Sequence, residues 1–293
     1  MFENENVYNE QLKLDLPNGI TVFVKREDLL HNEVSGNKFR KLKYNILKAQ
    51  ELGYSKLLTF GGAYSNHIAA TAAAGRICGI ETIGIIRGDE LEDNYVGNET
   101  LTKAVEDGMT LGFLSRTDYR LKATPEIIER LESKYGEFYL VPEGGTNEEA
   151  VRGTEEILKQ NDEVFDYVCT AVGTGGTIAG IINSSFDNQT IIGFPALKGD
   201  FLYEDIRKFA TKSNWELVLE YHFGGYAKYN EELLSFLREL YNQTGVLFDP
   251  IYNGKMMYGL MEEIKKGKFK EGSKILVIHT GGLQGWNEKI KIK

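Results

Sequence analysis

Ser35-Gly36-Asn37-Lys38-Phe39-Arg40-Lys41-Leu42 is the stretch from which this chain is best read. Before it lie a strand, Ile20-Thr21-Val22-Phe23-Val24-Lys25, and a polar loop holding Arg26-Glu27-Asp28. Beyond it Ile46 and Leu47 join Phe39 and Leu42 on one face, so the segment reads as a helix capped by Ser35 or Asn37. Two lysines and an arginine then crowd the opening of a helix. That end carries positive partial charge and unpaired N–H groups, so cations are unfavourable there unless an anion lies opposite. Crowding by cations also favours the neutral amine, the form in which a lysine is a nucleophile. A solvated basic face is the alternative for any lone lysine, and the rest of the chain has to supply the anion.

Working outward, 56–60 reads as a short buried strand, and Gly61-Gly62-Ala63-Tyr64 turns into a helix starting at Ser65. Further strands are expected at 83–86, 109–114, 138–141, 167–172, 191–196 and 274–279, with a weaker candidate at 215–221. Between them the spacing predicts helices over 98–107, 125–134, 148–159, 200–212, 229–241 and 255–265. Such alternation means an α/β protein with parallel sheets covered by helices on both faces. Sheets of this kind bind ligands at the carboxyl ends of their strands, where the glycine loops of this chain all fall. No internal repeat or linker-like stretch is visible, so a second domain is expected to be inserted rather than appended.

Composition narrows the function. The net charge of −9 argues against a nucleic-acid partner held by phosphate neutralisation, though not against a small basic pocket for one phosphate. Cys78 and Cys169 lie in apolar stretches without metal-like spacing and read as core residues, with no disulfide or metal site expected. The start Met1-Phe2-Glu3-Asn4-Glu5-Asn6 lacks the basic and apolar regions of a signal peptide, and no apolar run approaches membrane-spanning length. The expected setting is the cytoplasm, with no membrane partner.

Gly173-Thr174-Gly175-Gly176-Thr177 supplies the anion site. It follows a buried strand and opens a helix. Small residues there let backbone N–H groups converge, and two threonine hydroxyls add donors, so one phosphate dianion fits. A nucleoside-triphosphate loop would need Gly-Lys-Ser/Thr at its end, which is missing, and the glycine spacing fails the dinucleotide fingerprint. A dehydrogenase is correspondingly disfavoured. A glycine turn serving only tight packing is the bland alternative.

This phosphate loop, the lysine in Gly36-Asn37-Lys38 and Ser65-Asn66-His67 at a helix start together resemble fold-type II pyridoxal-phosphate enzymes. The branch is that of D-cysteine desulfhydrase and 1-aminocyclopropane-1-carboxylate (ACC) deaminase. The motifs stand in the family's order from Val24-Lys25-Arg26-Glu27-Asp28 to Thr280-Gly281-Gly282. The resemblance implies a tryptophan synthase beta-like fold, with pyridoxal 5'-phosphate as cofactor, a small amino acid as substrate and a homodimer as assembly. It also implies a small α/β domain, at 49–146, inserted into a cofactor-binding domain of 1–48 and 147–293.

By position in the motifs, the resemblance makes Lys38 the lysine that condenses with the pyridoxal aldehyde. It sets Lys41 near the cofactor phosphate, with solvent exposure as the alternative, and Asn66 at the ring oxygen. Ser65, Asn66 and His67 become the substrate-carboxylate side, while a helix cap is the plain reading of Ser65 and a structural role that of a lone histidine. Tyr226 in Gly224-Gly225-Tyr226 and Tyr252 in Asp249-Pro250-Ile251-Tyr252-Asn253-Gly254-Lys255 match the two active-site tyrosines. With 16 tyrosines in the chain, only those flanking residues lift the two above ordinary packing.

In this branch the residues after the second tyrosine and after the last strand lie beside the pyridine nitrogen. ACC deaminases resemble one another in carrying glutamate and leucine there; this chain has Asn253 and Thr280. Thr280 matches desulfhydrases, whereas Asn253 departs from their threonine. Neutral partners leave the ring a weaker electron sink, which suits elimination of a thiolate better than opening of a cyclopropane. Elimination from D-cysteine, giving pyruvate, ammonia and hydrogen sulfide, is therefore the expected activity. ACC deamination to 2-oxobutyrate and a non-catalytic cofactor- or phosphate-binding role are the alternatives.

Overall fold

The computed structural model describes every residue except Met1, residues 3–6, Ser35, Asp200, residues 284–285 and residues 287–293. The reading of Ser35 as a cap and of Asp200 as a helix start therefore lies outside the described residues. Two compact units divide the chain: Lys38–Ala150 with Met1–Asn4, and Glu5–Asn37 with Val151–Lys293.

The strands in chain order are β1 (Asn9–Gln11), β2 (Thr21–Lys25), β3 (Lys56–Gly61), β4 (Glu81–Arg87) and β5 (Thr110–Leu114). They continue with β6 (Tyr139–Val141), β7 (Tyr167–Val172), β8 (Thr190–Pro195), β9 (Trp215–Leu217) and β10 (Lys274–Ile278). The helices begin with α1 (Asn37–Glu51), α2 (Asn66–Cys78), α3 (Glu99–Glu106), α4 (Arg116–Arg120) and α5 (Pro125–Tyr135). After them come α6 (Glu148–Glu155), α7 (Gly176–Ser184), α8 (Leu202–Arg207), α9 (Glu231–Thr244) and α10 (Asn253–Lys265).

The larger sheet has the order β1-β2-β10-β7-β8-β9 and the smaller one β5-β4-β3-β6. Among the described residues all pairings are parallel except β1 with β2, so the expected architecture holds with one antiparallel edge. Period-two alternation makes both faces of the larger sheet apolar. Cys169, Ala171, Ile192 and Val277 pack with α9 and α10 on one side; Val168, Val172, Ile191 and Leu276 pack with α7 and α8 on the other. The smaller sheet is likewise covered twice, by α5 against Leu58, Phe60, Ile83 and Ile85 and by α2 and α3 around Ile86.

Three expectations need correction. The helix over 200–212 shrinks to Leu202–Arg207, because Phe209 and Ala210 close on the Ile206 carbonyl and Thr211 N–H then donates to Asn183 Oδ1. The helix over 148–159 stops at Glu155, where the turn tightens through Glu156 N–H to Gly153 O and Ile157 N–H to Thr154 O. The strand over 215–221 ends at Leu217. β1 and α4 were not expected at all; Asn-Glu-Gln in β1 offers no apolar alternation to read.

Candidate active site

In the unit that starts at Lys38, α1 carries both lysines of the opening motif. Lys38 is partly buried, and burial lowers its amine pKa to about 8. Desolvation, not the neighbouring cations that the sequence suggests, is the cause. Charge repulsion does contribute at Lys41, whose pKa is depressed first by burial and then by Lys38. Lys41 is 2% exposed and donates through Nζ to Gly144 O at 3.0 Å and Thr146 Oγ1 at 3.1 Å, which removes the solvent-exposed alternative. An uncharged amine has enough protons for both bonds, so Lys41 keeps this tie without its charge.

Ser65 caps α2, its Oγ accepting from His67 N–H at 3.2 Å and Ile68 N–H at 3.4 Å. The hydroxyl proton of Ser65 is then left for an anion such as a carboxylate, so cap and binding roles are compatible. Asn66 opens the helix and is half-buried. His67 is buried, with Nε2 2.9 Å from Thr59 Oγ1. Thr59 uses its own proton on Val141 O at 2.8 Å, so Nε2 must be the protonated nitrogen of His67. Burial and the charges of Lys38 and Lys41 keep the ring neutral by pushing its pKa well down.

In the other unit, the glycine loop follows β7 and opens α7. Gly175 adopts φ 84, a left-handed conformation that costs glycine little, and it turns the chain into the helix. The first N–H groups of α7 have no intrahelical acceptors and point out of its start. Thr177 Oγ1 accepts from Asn37 Nδ2 at 2.8 Å, which leaves the threonine proton for an anion. Of the two proposed caps of α1, Asn37 thus spends its side chain on the glycine loop. Its backbone N–H goes to Thr280 O at 3.2 Å. Gly36 passes so close that a Cβ would stand 1.9 Å from the same carbonyl, and its φ is 60.

Tyr252 covers the start of the loop: a Cβ on Gly173 would lie 3.2 Å from its Cε1. The rings of Tyr226 and Tyr252 are 6.0 Å apart. Behind them is a polar node. Asp249, 1% exposed, accepts from Ile251 N–H (2.9 Å) and Tyr252 N–H (2.7 Å) at Oδ1. Its Oδ2 accepts from Asn253 N–H (3.0 Å) and Asn253 Nδ2 (2.7 Å). Burial raises the Asp249 pKa, and the donated bonds oppose that shift.

Asn253 also donates to Gly281 O at 3.1 Å, while its Oδ1 accepts from Thr280 N–H (3.1 Å) and Thr280 Oγ1 (3.0 Å). Four hydrogen bonds saturate the amide. Of the Asn253–Thr280 pair, only the Thr280 oxygen retains capacity, through its lone pairs. The amide orientation is forced, because a carboxylate and a carbonyl can only accept and Thr280 N–H can only donate.

Three participants have no role of their own in the sequence reading. Asp249 had a signal, an Asp-Pro turn ahead of a helix. Lys255 stands in the same quoted stretch without a role of its own, and His279 has no signal; His279 is stacked on Phe248, its Nε2 donates to Leu247 O and its Nδ1 accepts from Gly281 N–H. A cavity of about 640 Å³ lined by Asp187, Tyr203, Arg207, Thr211, Lys212 and Trp215 contains none of the candidate residues. It lies at the amino ends of β8 and β9, the opposite end of that sheet from Gly173–Thr177.

Residues 10–281 match the family described as pyridoxal-phosphate dependent enzyme. The chain is 34% identical to a bifunctional D-cysteine desulfhydrase/1-aminocyclopropane-1-carboxylate deaminase, mitochondrial, of Arabidopsis thaliana, covering 94% of this chain and 75% of that protein. It is 30% identical to a D-cysteine desulfhydrase of Serratia proteamaculans, covering 90% of this chain and 87% of the other. A crystal structure of an ACC deaminase homologue superposes with a TM-score of 0.79 at 27% identity, covering 97% of this chain and 91% of that one.

Proposed function

The chain belongs to the pyridoxal-phosphate dependent enzymes, and we propose that it eliminates the β-substituent of D-cysteine or a related D-amino acid, yielding pyruvate, ammonia and, from D-cysteine, hydrogen sulfide. Its cofactor is pyridoxal 5'-phosphate. The residues suit that group: a helix-opening glycine loop for a phosphate monoester, and a lysine whose burial frees its amine for an aldehyde. When bound, pyridoxal phosphate supplies an electron sink for the charge left on the substrate α-carbon.

We assign Gly173, Thr174, Gly175, Gly176 and Thr177 to the phosphate and Lys38 to the aldehyde. Lys41, Asn66, Asn253 and Thr280 are the further cofactor-side residues, Lys41 and Asn253 acting by holding their neighbours in place. The Ser65 hydroxyl proton and the start of α2 attract the substrate carboxylate, beside His67. Lys38, near half-protonated about one unit above neutrality, or Tyr252 takes the α-proton. Tyr226 or Tyr252 gives a proton to the departing sulfur.

One observation favours D-cysteine over ACC. The carboxylate of the polar node, Asp249, is buried beneath four hydrogen bonds, and what it leaves at Asn253 and Thr280 is neutral. Neutral partners weaken the sink, which a good leaving group tolerates. ACC deamination is the second reading, since the Arabidopsis relative is named for both activities. Assaying D-cysteine, L-cysteine, D-serine and ACC side by side tests the order. Sulfide and pyruvate from D-cysteine are expected; 2-oxobutyrate from ACC with neither product from D-cysteine overturns it.

No described helix is long and apolar enough to cross a membrane. A cytoplasmic homodimer acting on a small amino acid, without nucleic acid or membrane, is our further reading. Light scattering on the purified protein tests the dimer.

A further inference from the structure

Lys255 is a cation in the first turn of α10, where the helix field is positive, and it is 1% exposed. Nothing about local helix formation recommends a lysine there. Its Nζ reaches out of the helix to two backbone carbonyls of one loop, His222 O at 2.9 Å and Gly225 O at 2.8 Å. That loop is unusual backbone. Phe223, Gly224, Gly225 and Ala227 all have positive φ, at 51, 90, 113 and 56. Two of the four are not glycine, so left-handed conformations costly to side-chain-bearing residues are being held by something. Within the loop, Gly224 N–H donates to His222 Nδ1, Gly225 N–H to His222 O and Lys228 N–H to Gly225 O. Lys255 binds the carbonyls on which two of those bonds end.

The residue the loop presents is Tyr226. Tyr252 is the N-cap of α10, three residues before Lys255, and its ring lies 6.0 Å from that of Tyr226. The opening turn of one helix therefore carries one tyrosine and grips the loop that carries the other. Burial lowers the Lys255 pKa to about 8, with Asp249 opposing; the neutral amine still has protons for both carbonyls, so the grip does not depend on charge.

We propose that Lys255 is a positioning residue that holds the strained loop 222–227 so that Tyr226 stands opposite Tyr252 during elimination. The catalytic part of this inference rests on the function proposed above; the loop-holding part does not. Four proteins test it: Lys255→Met, Lys255→Gln, Tyr226→Phe and the Lys255→Met/Tyr226→Phe double variant, each loaded with pyridoxal phosphate. Tyr226→Phe is expected to lower kcat on D-cysteine by about 100-fold, the scale of a lost proton donor. Lys255→Met should reproduce most of that loss with KM and cofactor absorbance unchanged, and the double variant should be no worse than Tyr226→Phe alone. Lys255→Gln, whose amide keeps two donors, should recover much of the rate.

Hydrogen exchange supplies the second readout: peptides spanning 222–228 should exchange about tenfold faster in Lys255→Met, with other peptides unchanged. Wild-type exchange in that loop would overturn the proposal whatever the activity. So would multiplicative losses in the double variant, or a loss that tracks cofactor release. A wild-type protein inactive on every substrate would remove the elimination reading, and the exchange result would still decide whether Lys255 holds the loop.

Discussion

Lys38, Lys41 and His67 are three basic side chains in one unit that burial drives towards neutrality, and each uses that neutrality differently. Lys41 is tied to Gly144 and Thr146, and His67 to Thr59, so Lys38 is the one whose amine the fold leaves for chemistry. Its pKa of about 8 makes a prediction. Uptake of pyridoxal phosphate by cofactor-stripped protein should speed up roughly tenfold per pH unit below that value and level off above it. Stopped-flow absorbance measures this, and Lys38→Ala should leave no borohydride-reducible adduct. The same shift affects stability. Between about pH 8 and the value of a free lysine the unfolded chain holds a proton that the folded one has shed, so the apoprotein should gain stability as pH rises through that window. Thr59→Val tests the other end of the cluster. It removes the bond to Val141 O and orphans His67 Nε2–H, and a buried group left unpaired costs about 1–3 kcal/mol, readable by urea unfolding.

Among the elements, α10 and the turn before it carry the most constraint. Asp249 receives the backbone N–H groups of Ile251, Tyr252 and Asn253, so one carboxylate shapes the turn, begins the helix and orients the Asn253 amide. Asp249→Ala should cost several kcal/mol, since each orphaned donor contributes about 1–3 kcal/mol. Because Asn253 would then turn, Thr280 should also lose its fixed hydroxyl, visible as a shift in the absorbance of the bound cofactor. Gly36 marks the second constraint. Adding a methyl group there meets a backbone carbonyl at 1.9 Å and a φ of 60, and backbone cannot swing aside as a side chain does. Gly36→Ala is expected to lower the melting temperature, with overpacking alone worth about 1–3 kcal/mol. A variant as stable as the wild type would show that the Thr280 segment can move.

At the scale of the whole molecule, each unit is a sheet with two apolar faces, and one feature of the larger sheet is not apolar at all. Lys25 and Asp162 form an ion pair at 2.8 Å with side-chain exposures of 3% and 0%, joined by Asn9 from β1. Breaking such a pair leaves a buried charge, so Lys25→Met should cost about 3–5 kcal/mol, and Lys25→Met/Asp162→Leu should recover most of it. Chemical denaturation of the three proteins decides the point. β1 shows why part of this fold was unreadable: Asn9-Glu10-Gln11 has no periodicity, and it pairs with β2 through backbone bonds and a contact to a residue 153 positions away. The order of strands and helices, the parallel architecture, the glycine loop that opens a helix and the lysine at the start of α1 were legible, because apolar period, glycine spacing and capping act over a few neighbouring residues. What tertiary structure alone decided was the state of those groups. Burial rather than neighbouring charge lowers the Lys38 pKa, Asn37 turns to Thr177 instead of capping α1, and Asn253 is saturated by Asp249, Thr280 and Gly281. Desolvation and hydrogen-bond saturation depend on which distant segments are brought into contact, and no local pattern records that.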